Sequence, residues 1–133
     1  MTANSAYKQY RDNSIQTASP EELTLMLYNG IVRFIMQAQR SIDENDLEKT
    51  HSSILRAQDI IMELKCTLNM KYGISHSLSI LYDYLYRRLV DANVSKDKEI
   101  LEEVLGFAKE LRDTWTQAMK TAKCQEKPQQ IAR

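Results

Sequence analysis

Apolar residues recur along most of the chain at the spacing of an amphipathic helix. From about residue 20 to 43 they form one stripe, with more apolar residues beside it: Leu23, Leu27, Ile31, Phe34, Ile35, Ala38 and Ile42. Steps of three and four residues place side chains on one helical face. Ser19 can cap this helix, Pro20 suits its first position, and Glu22 can complete a capping box. The pattern therefore predicts a first helix over 20–43.

A seven-residue repeat marks the second helix, with apolar or small residues at both seam positions: Leu47, Thr50, Ile54, Ala57, Ile61, Leu64 and Leu68. Residues 72–75 carry the next break. Gly73 suits a left-handed residue at the end of this helix, and Ser75 suits the cap of the following one. We therefore expect the second helix to extend almost to Gly73.

The third helix is predicted over about 76–93, with a core face made by Leu78, Leu81 or Tyr82, Leu85, Leu89 and Ala92. After a short connection at 93–96, the fourth helix repeats small and large apolar residues in two phases: Leu101, Ala108, Trp115 and Ala122, and Val104, Leu111 and Ala118. A repeat of this kind needs facing helices to cover it.

Short connections between long amphipathic helices favour antiparallel neighbours. The predicted fold is therefore all-α, an antiparallel up-down-up-down four-helix bundle with a short mobile N-terminal arm or helix. We assign residues 1–18 to the arm, 19–124 to the bundle and 125–133 to a disordered tail.

Composition supports this fold and narrows the function. With three Gly and two Pro in 133 residues, the chain has few of the residues that punctuate strands and hairpins. Its 18 basic and 18 acidic residues cancel, which argues against a nucleic-acid partner. The start of the chain has no apolar segment typical of a signal peptide, and no stretch is long enough to insert into a membrane. We expect a cytoplasmic protein whose two cysteines stay reduced.

Candidate catalytic or cofactor chemistry is sparse. A di-iron bundle needs two Glu-x-x-His pairs, whereas Glu48 and His51 form one pair and His76 follows Gly73 instead of a glutamate. Either histidine could in principle serve phosphotransfer. No phosphate loop, dinucleotide fingerprint or nucleophile motif is present. The sequence therefore indicates a protein that is not an enzyme and has no cofactor or metal.

Apolar residues beyond the four seams form second rows: Leu55, Met62 and Cys66 on the second helix, Tyr82, Tyr86 and Val90 on the third, and Ile100, Phe107 and Met119 on the fourth. They can be explained by a wide core in which each helix buries more than one stripe. They can equally form a groove for another helix, since Met and aromatic residues suit adaptable contacts.

Several segments resemble the flagellin export chaperone family (FliS). These are AYKQY at 6–10, TASPEELTLMLYNG at 17–30, LYDYLYRRL at 81–89 followed by Ala92 and Asn93, and LRDTW at 111–115. The resemblance covers nearly the whole chain, and the block at 17–30 is its most specific part. It is weakest over the second helix and is absent from 125 onward.

The resemblance implies a bundle that binds the disordered C-terminal segment of flagellin, prevents its premature polymerisation in the cytoplasm and helps deliver it to the flagellar export gate. It also implies that Tyr7 and Tyr10 on the arm affect contacts with client or gate, although both could instead cap the core. Gly30 is better explained by close helix packing, so a large side chain there should damage folding.

Candidate partner-binding residues are therefore Tyr7, Tyr10, Leu55, Met62, Tyr82, Tyr86, Val90 and Phe107. Spare apolar surface also predicts a homodimer when the client is absent. The alternatives are a histidine phosphotransfer bundle and a structural adaptor that dimerises.

Overall fold

The computed structural model describes the backbone of residues 17–131 and the side chains of residues 17–124. Four long helices follow one another within that range: α1 (Pro20–Asp43), α2 (Leu47–Cys66), α3 (Gly73–Ser95) and α4 (Lys98–Ile131). Tyr7 and Tyr10 lie outside the described residues. The first helix has the bounds that the sequence predicts.

The helices form an antiparallel bundle. Each helix packs against the next one in the chain, and α1 also packs against α4, so that the four helices close into a ring. The connections at 44–46, 67–72 and 96–97 are too short to allow parallel neighbours. The predicted all-α four-helix bundle is confirmed.

Side-chain caps explain where the first two helices begin. Ser19 Oγ accepts a hydrogen bond from the Glu22 backbone N–H at 3.2 Å, and Pro20 occupies the first turn. Asp46 Oδ1 accepts from the Lys49 backbone N–H at 3.1 Å. Each cap supplies a partner to one of the free N–H groups at a helix start. The predicted Ser19 cap is therefore confirmed.

The predicted break at Gly73 is wrong in position. Helix α2 ends at Cys66, and its C-cap Thr67 lies six residues before Gly73. The Thr67 hydroxyl donates to the carbonyl of Glu63 in the last turn at 2.9 Å. Gly73 instead begins α3, and no described glycine has a positive φ. Ser75 is the third residue of that helix, where its hydroxyl donates to the Asn69 carbonyl at 2.7 Å.

The fourth helix is the longest, and its far end extends past its neighbours. Its seam residues Leu101, Val104 and Ala108 are fully buried, whereas Ala118 and Ala122 are exposed. The backbone stays helical to Ile131, past the point at about 125 where the sequence predicts a disordered tail. The division of the chain into arm, bundle and tail stays a prediction.

The core contains the predicted seams with a few changes: Tyr28, Ile31, Val32, Ile35, Ala38, Ile54, Ala57, Ile61, Leu64, Tyr82, Leu85, Leu89, Ala92, Leu101, Val104, Leu105 and Ala108 are buried. Tyr82, and not Leu81, fills the open position on α3. Its hydroxyl lies 2.6 Å from the hydroxyl of Tyr28. This pair crosses the middle of the bundle from α1 to α3. Leu47, predicted as a seam residue, is 55% exposed at the start of α2.

Gly30 packs directly against α2. A Cβ atom at this position would lie 2.9 Å from Cδ1 of Ile60, which is closer than real Cβ contacts. The predicted role in close helix packing is confirmed. Because the neighbour is the end of a flexible side chain, alanine requires a small shift of Ile60, while a larger residue would push the helices apart.

Candidate partner-binding surface

Exposed apolar side chains are concentrated on the outer side of α2 and α3. We name this surface the α2/α3 face and define it by Leu55, Met62, Ile80, Tyr86, Val90 and Val94. Ile80 is 71% and Val94 83% exposed, although side chains of a bundle core are buried. Contiguous apolar surface of this kind marks interaction sites on soluble proteins.

Two shallow grooves run along this face and share Tyr86. One, of about 390 Å³, lies beside Met62 and Ile80. The other, of about 410 Å³, lies beside Leu55, Val90 and Val94. Since Tyr86 lines both, the two grooves are adjacent, and we name the pair of them the track. The track can accept apolar side chains of an extended or helical segment laid along it.

Polar contacts flank the track at both ends. The ammonium of Lys65 pairs with the carboxylate of Asp83 across the two helices. At the other end, Asn93 Nδ2 and His51 Nδ1 are hydrogen-bonded at 2.8 Å, and Lys96 donates to the Asn93 carbonyl. These contacts tie α2 to α3 while the apolar middle stays open.

Four of the predicted partner-binding residues come together on this face: Leu55, Met62, Tyr86 and Val90. Two others do not. Tyr82 is 2% exposed and hydrogen-bonded in the core, so its assignment to a partner-binding surface is wrong. Phe107 lies on α4, away from the α2/α3 face. Its ring packs edge to face with that of Tyr84, with 6.2 Å between the ring centres.

Sequence reasoning missed Ile80 and Val94. Val94 fell in the segment taken as a connection, but α3 continues to Ser95 and presents it on the same side as Val90. Ile80 lies between the core positions Leu78 and Leu81, and three of the four residues one turn away from it are polar: His76, Ser77 and Asp83. The four-residue steps from Tyr86 to Val90 to Val94 could have identified this stripe.

A polar cluster joins α3 to α4 next to the core. Glu103 accepts from Tyr84 Oη at 2.9 Å and from Arg88 Nε at 2.8 Å. The bond from Arg88, and then that from Tyr84, holds the pKa of the Glu103 carboxyl below its usual value. The bond to Glu103 raises the pKa of the Tyr84 hydroxyl. The cluster orients α3 and carries no feature of a catalytic site.

The side chains of 17–124 include no group of three histidine, cysteine, aspartate or glutamate residues placed to hold a metal ion. Glu48 and His51 lie on exposed turns of α2, and His51 is engaged by Asn93. His76 is exposed near the start of α3. Neither histidine lies in a pocket with acidic neighbours of the kind that phosphotransfer uses.

Comparison with known proteins decides what kind of bundle this is. The family model described as flagellar protein FliS matches residues 3–122. The chain belongs to the FliS family. It is 45% identical over 121 residues to the flagellar secretion chaperone FliS of Bacillus subtilis, covering 91% of each chain. Over 125 residues it is 33% identical to that of Salmonella typhimurium, covering 91% of this chain and 93% of the other.

The fold agrees with this assignment. A crystal structure of a bacterial flagellar chaperone superposes with a TM-score of 0.73, covering 90% of this chain and 98% of the other at 20% identity. The chain is therefore a flagellar secretion chaperone, as its sequence resemblance predicts, and its residues 20–131 form four long helices. Among the described residues, no helix has the length and apolar character required to cross a membrane.

Proposed function

We propose that this flagellar secretion chaperone binds the disordered C-terminal segment of flagellin along the α2/α3 face. The observation that carries the proposal is the track, two adjacent grooves that share Tyr86 and expose apolar side chains of α2 and α3. A disordered segment has no core of its own, so it gains stability by laying apolar side chains into such a track. Burial of roughly 1,000 to 3,000 Å² offsets the roughly 2 to 5 kcal/mol that ordering the segment costs.

Binding of this kind explains the rest of the function without an enzymatic step. A flagellin end that is held on the chaperone is not available for polymerisation in the cytoplasm, and the complex then delivers it to the flagellar export gate. The chaperone acts by stoichiometric binding, needs no metal or cofactor, and is not an enzyme.

The test is titration of a synthetic flagellin C-terminal segment into the wild type and into Met62→Glu. A carboxylate at position 62 would replace an apolar contact with a charged group that must lose its water when the client binds, so we expect binding at least about ten-fold weaker. Met36→Glu is the matched control, because Met36 on α1 is 39% exposed and Met62 42%. Equal losses in both variants, or no loss in Met62→Glu, would contradict the proposal.

The same surface supports a homodimer that the client disrupts. Val94, Ile80 and Met62 are exposed in the isolated chain, and a second copy is the simplest cover for them. Sizing at rising concentration, with and without the flagellin segment, checks this. A strict monomer whose size does not depend on concentration would contradict self-association while leaving client binding intact.

The arm is expected to influence delivery. Tyr7→Ala with Tyr10→Ala should leave the bundle folded, because neither tyrosine belongs to a seven-residue seam and both precede the helix start at Ser19. Binding to the flagellin segment or to an export-gate fragment should change. If thermal stability drops sharply and binding follows only the unfolded fraction, the tyrosines are core caps instead.

A further inference from the structure

A second groove lies on the other flank of α2, between α1 and α2, and its volume is about 780 Å³. Leu23, Leu27, Phe34 and Ile60 make its apolar floor, and Met26 stands 39% exposed at its edge. Gly30 lies in the middle of this floor and leaves the groove deeper there, since it has no side chain next to Ile60. The groove therefore has room for apolar side chains of a partner.

Two arginines stand over this groove in an arrangement not found elsewhere in the described residues. The guanidinium carbon of Arg33 lies 5.0 Å from the centre of the Phe34 ring, and that of Arg56, from α2, lies 5.6 Å from it. Cation–π contacts at these distances restrain long side chains at their charged ends. One ring thus holds two positive groups from two helices at the groove rim.

Neither arginine has a carboxylate within 4.0 Å among the described side chains, whereas Arg88 and Arg112 are both paired. Stacking on a ring leaves the N–H edges of a guanidinium available, and their fork geometry matches a carboxylate. Asp59 lines the same groove but forms no ion pair with either arginine. The rim therefore offers two restrained donors to an acidic group of a partner.

We propose that the α1/α2 groove docks a short acidic amphipathic helix of a protein partner other than the flagellin segment. Apolar side chains of that helix cover Leu27 and Phe34, and its carboxylates bind Arg33 and Arg56. Asp59 on the same rim disfavours a polyanion such as a nucleic acid or an anionic membrane. This surface is separate from the α2/α3 face, so the chaperone can hold client and partner together.

The probe is a designed helical peptide of about four turns with leucines at i, i+3, i+4 and i+7 and glutamates along one edge. A second peptide carries glutamine at those edge positions. Each is titrated into the isotope-labelled full chain, and the amide signals of Gly30 and Phe34 report on the groove. We expect the acidic peptide to shift these signals and to bind about ten-fold more tightly than the glutamine peptide.

Charge reversal provides a second test. R33E/R56E should weaken binding of the acidic peptide by at least about ten-fold, equivalent to about 1.4 kcal/mol. The matched control R40E/R87E changes net charge equally at two exposed arginines outside the groove and should have little effect. Equal loss in both variants would indicate bulk charge and overturn the proposal, as would equal affinity of the two peptides or shifts centred on Tyr86.

Two further measurements separate this proposal from the one for flagellin. The flagellin segment should bind R33E/R56E as it binds the wild type; a large loss there would make the groove part of the client site and overturn a separate partner. The proposal would also be overturned if vesicles of anionic phospholipid or a single-stranded RNA bound at Arg33 and Arg56 more tightly than the acidic peptide does. If Met62→Glu leaves the affinity for the flagellin segment unchanged, the proposal for the α2/α3 face fails, whereas the proposal for the α1/α2 groove is still decided by the acidic peptide.

Discussion

The α1/α4 side and the α2/α3 side of the bundle are built differently. Between α1 and α4, the indole N–H of Trp115 donates to the Glu21 carbonyl at 2.9 Å. The rings of Trp115 and Tyr28 pack edge to face, with 6.5 Å between their centres. Within residues 98–124, α4 exposes no large apolar side chain. The α2/α3 face instead leaves Ile80 and Val94 largely uncovered.

This difference separates stability from binding. Apolar surface stabilises the fold when the chain covers it and is available to a partner when the chain does not. The side closed by Trp115 should therefore respond to mutation through the free energy of unfolding. The α2/α3 face should respond through the affinity for client, with little change in unfolding.

The largest expected effect contrasts two residues of α3. Tyr82→Ala opens a cavity in the core and should lower the free energy of unfolding by about 3–5 kcal/mol, whereas Val90→Ala should lower it by less than about 1 kcal/mol. Urea unfolding of both variants measures the difference. If Tyr82→Ala instead unfolds like the wild type and loses only client binding, the core assignment of Tyr82 is wrong.

The buried hydroxyl pair gives the next effect. Tyr82→Phe leaves the hydroxyl of Tyr28 in the core without its partner 2.6 Å away, and should cost about 1–3 kcal/mol. The double change to phenylalanine should be nearly neutral, because neither hydroxyl is then left unpaired. A double-mutant cycle measures the coupling. Additive losses would show that the two hydroxyls do not depend on each other.

The contacts of Trp115 with the start of α1 should stabilise the fold less than the hydroxyl pair does. Trp115→Phe removes the hydrogen bond to the Glu21 carbonyl but keeps an aromatic ring near Tyr28, so we expect a loss of about 0.5–1.5 kcal/mol. Hydrogen exchange in the first turns of α1 should rise, while affinity for the flagellin segment stays unchanged. Faster exchange in α3 instead would mean that Trp115 does not close the α1/α4 side.

The smallest effect depends on pH. The pKa of Glu103 is lowered in the folded chain, first by Arg88 and then by Tyr84. The ionised carboxylate therefore adds to the free energy of unfolding at pH values above the ordinary glutamate pKa of about 4.3. That contribution is lost as the pH falls through the folded value. The wild type should therefore lose its advantage over Glu103→Gln as the pH falls from about 5 through the lowered pKa of the folded chain. Urea midpoints across this range that keep a constant difference would contradict it.

Much of the fold could be predicted because each helix carries its own local signals. The capping residues at 19–22 and the apolar stripe placed α1 at the bounds that the structure has. The end of α2 could not be placed in this way, since Gly73 is a stronger stop signal in the sequence than Thr67, the residue at which the helix is capped.

The candidate surface was predictable in part. Met62, Tyr86 and Val90 were recognisable as apolar residues outside the seams, but so was Tyr82, and the same pattern suits a wide core or a groove. Helical spacing places residues on a face without saying how much of that face a neighbouring helix covers. Tyr82 and Tyr86 are one turn apart, yet one is buried and the other lines the track.

By itself, the sequence determined the all-α class, the order of the four helices between residues 20 and 131 and, through its resemblance, the FliS family, because these depend on local periodicity, caps and specific motifs. Tertiary structure decided which apolar residues are spare and where the restrained arginines stand. Arg33 and Arg56 are 23 positions apart and meet at Phe34 only because α1 and α2 pack side by side. Exposure and cross-helix contacts belong to the packed bundle, since they depend on how neighbouring helices cover one another.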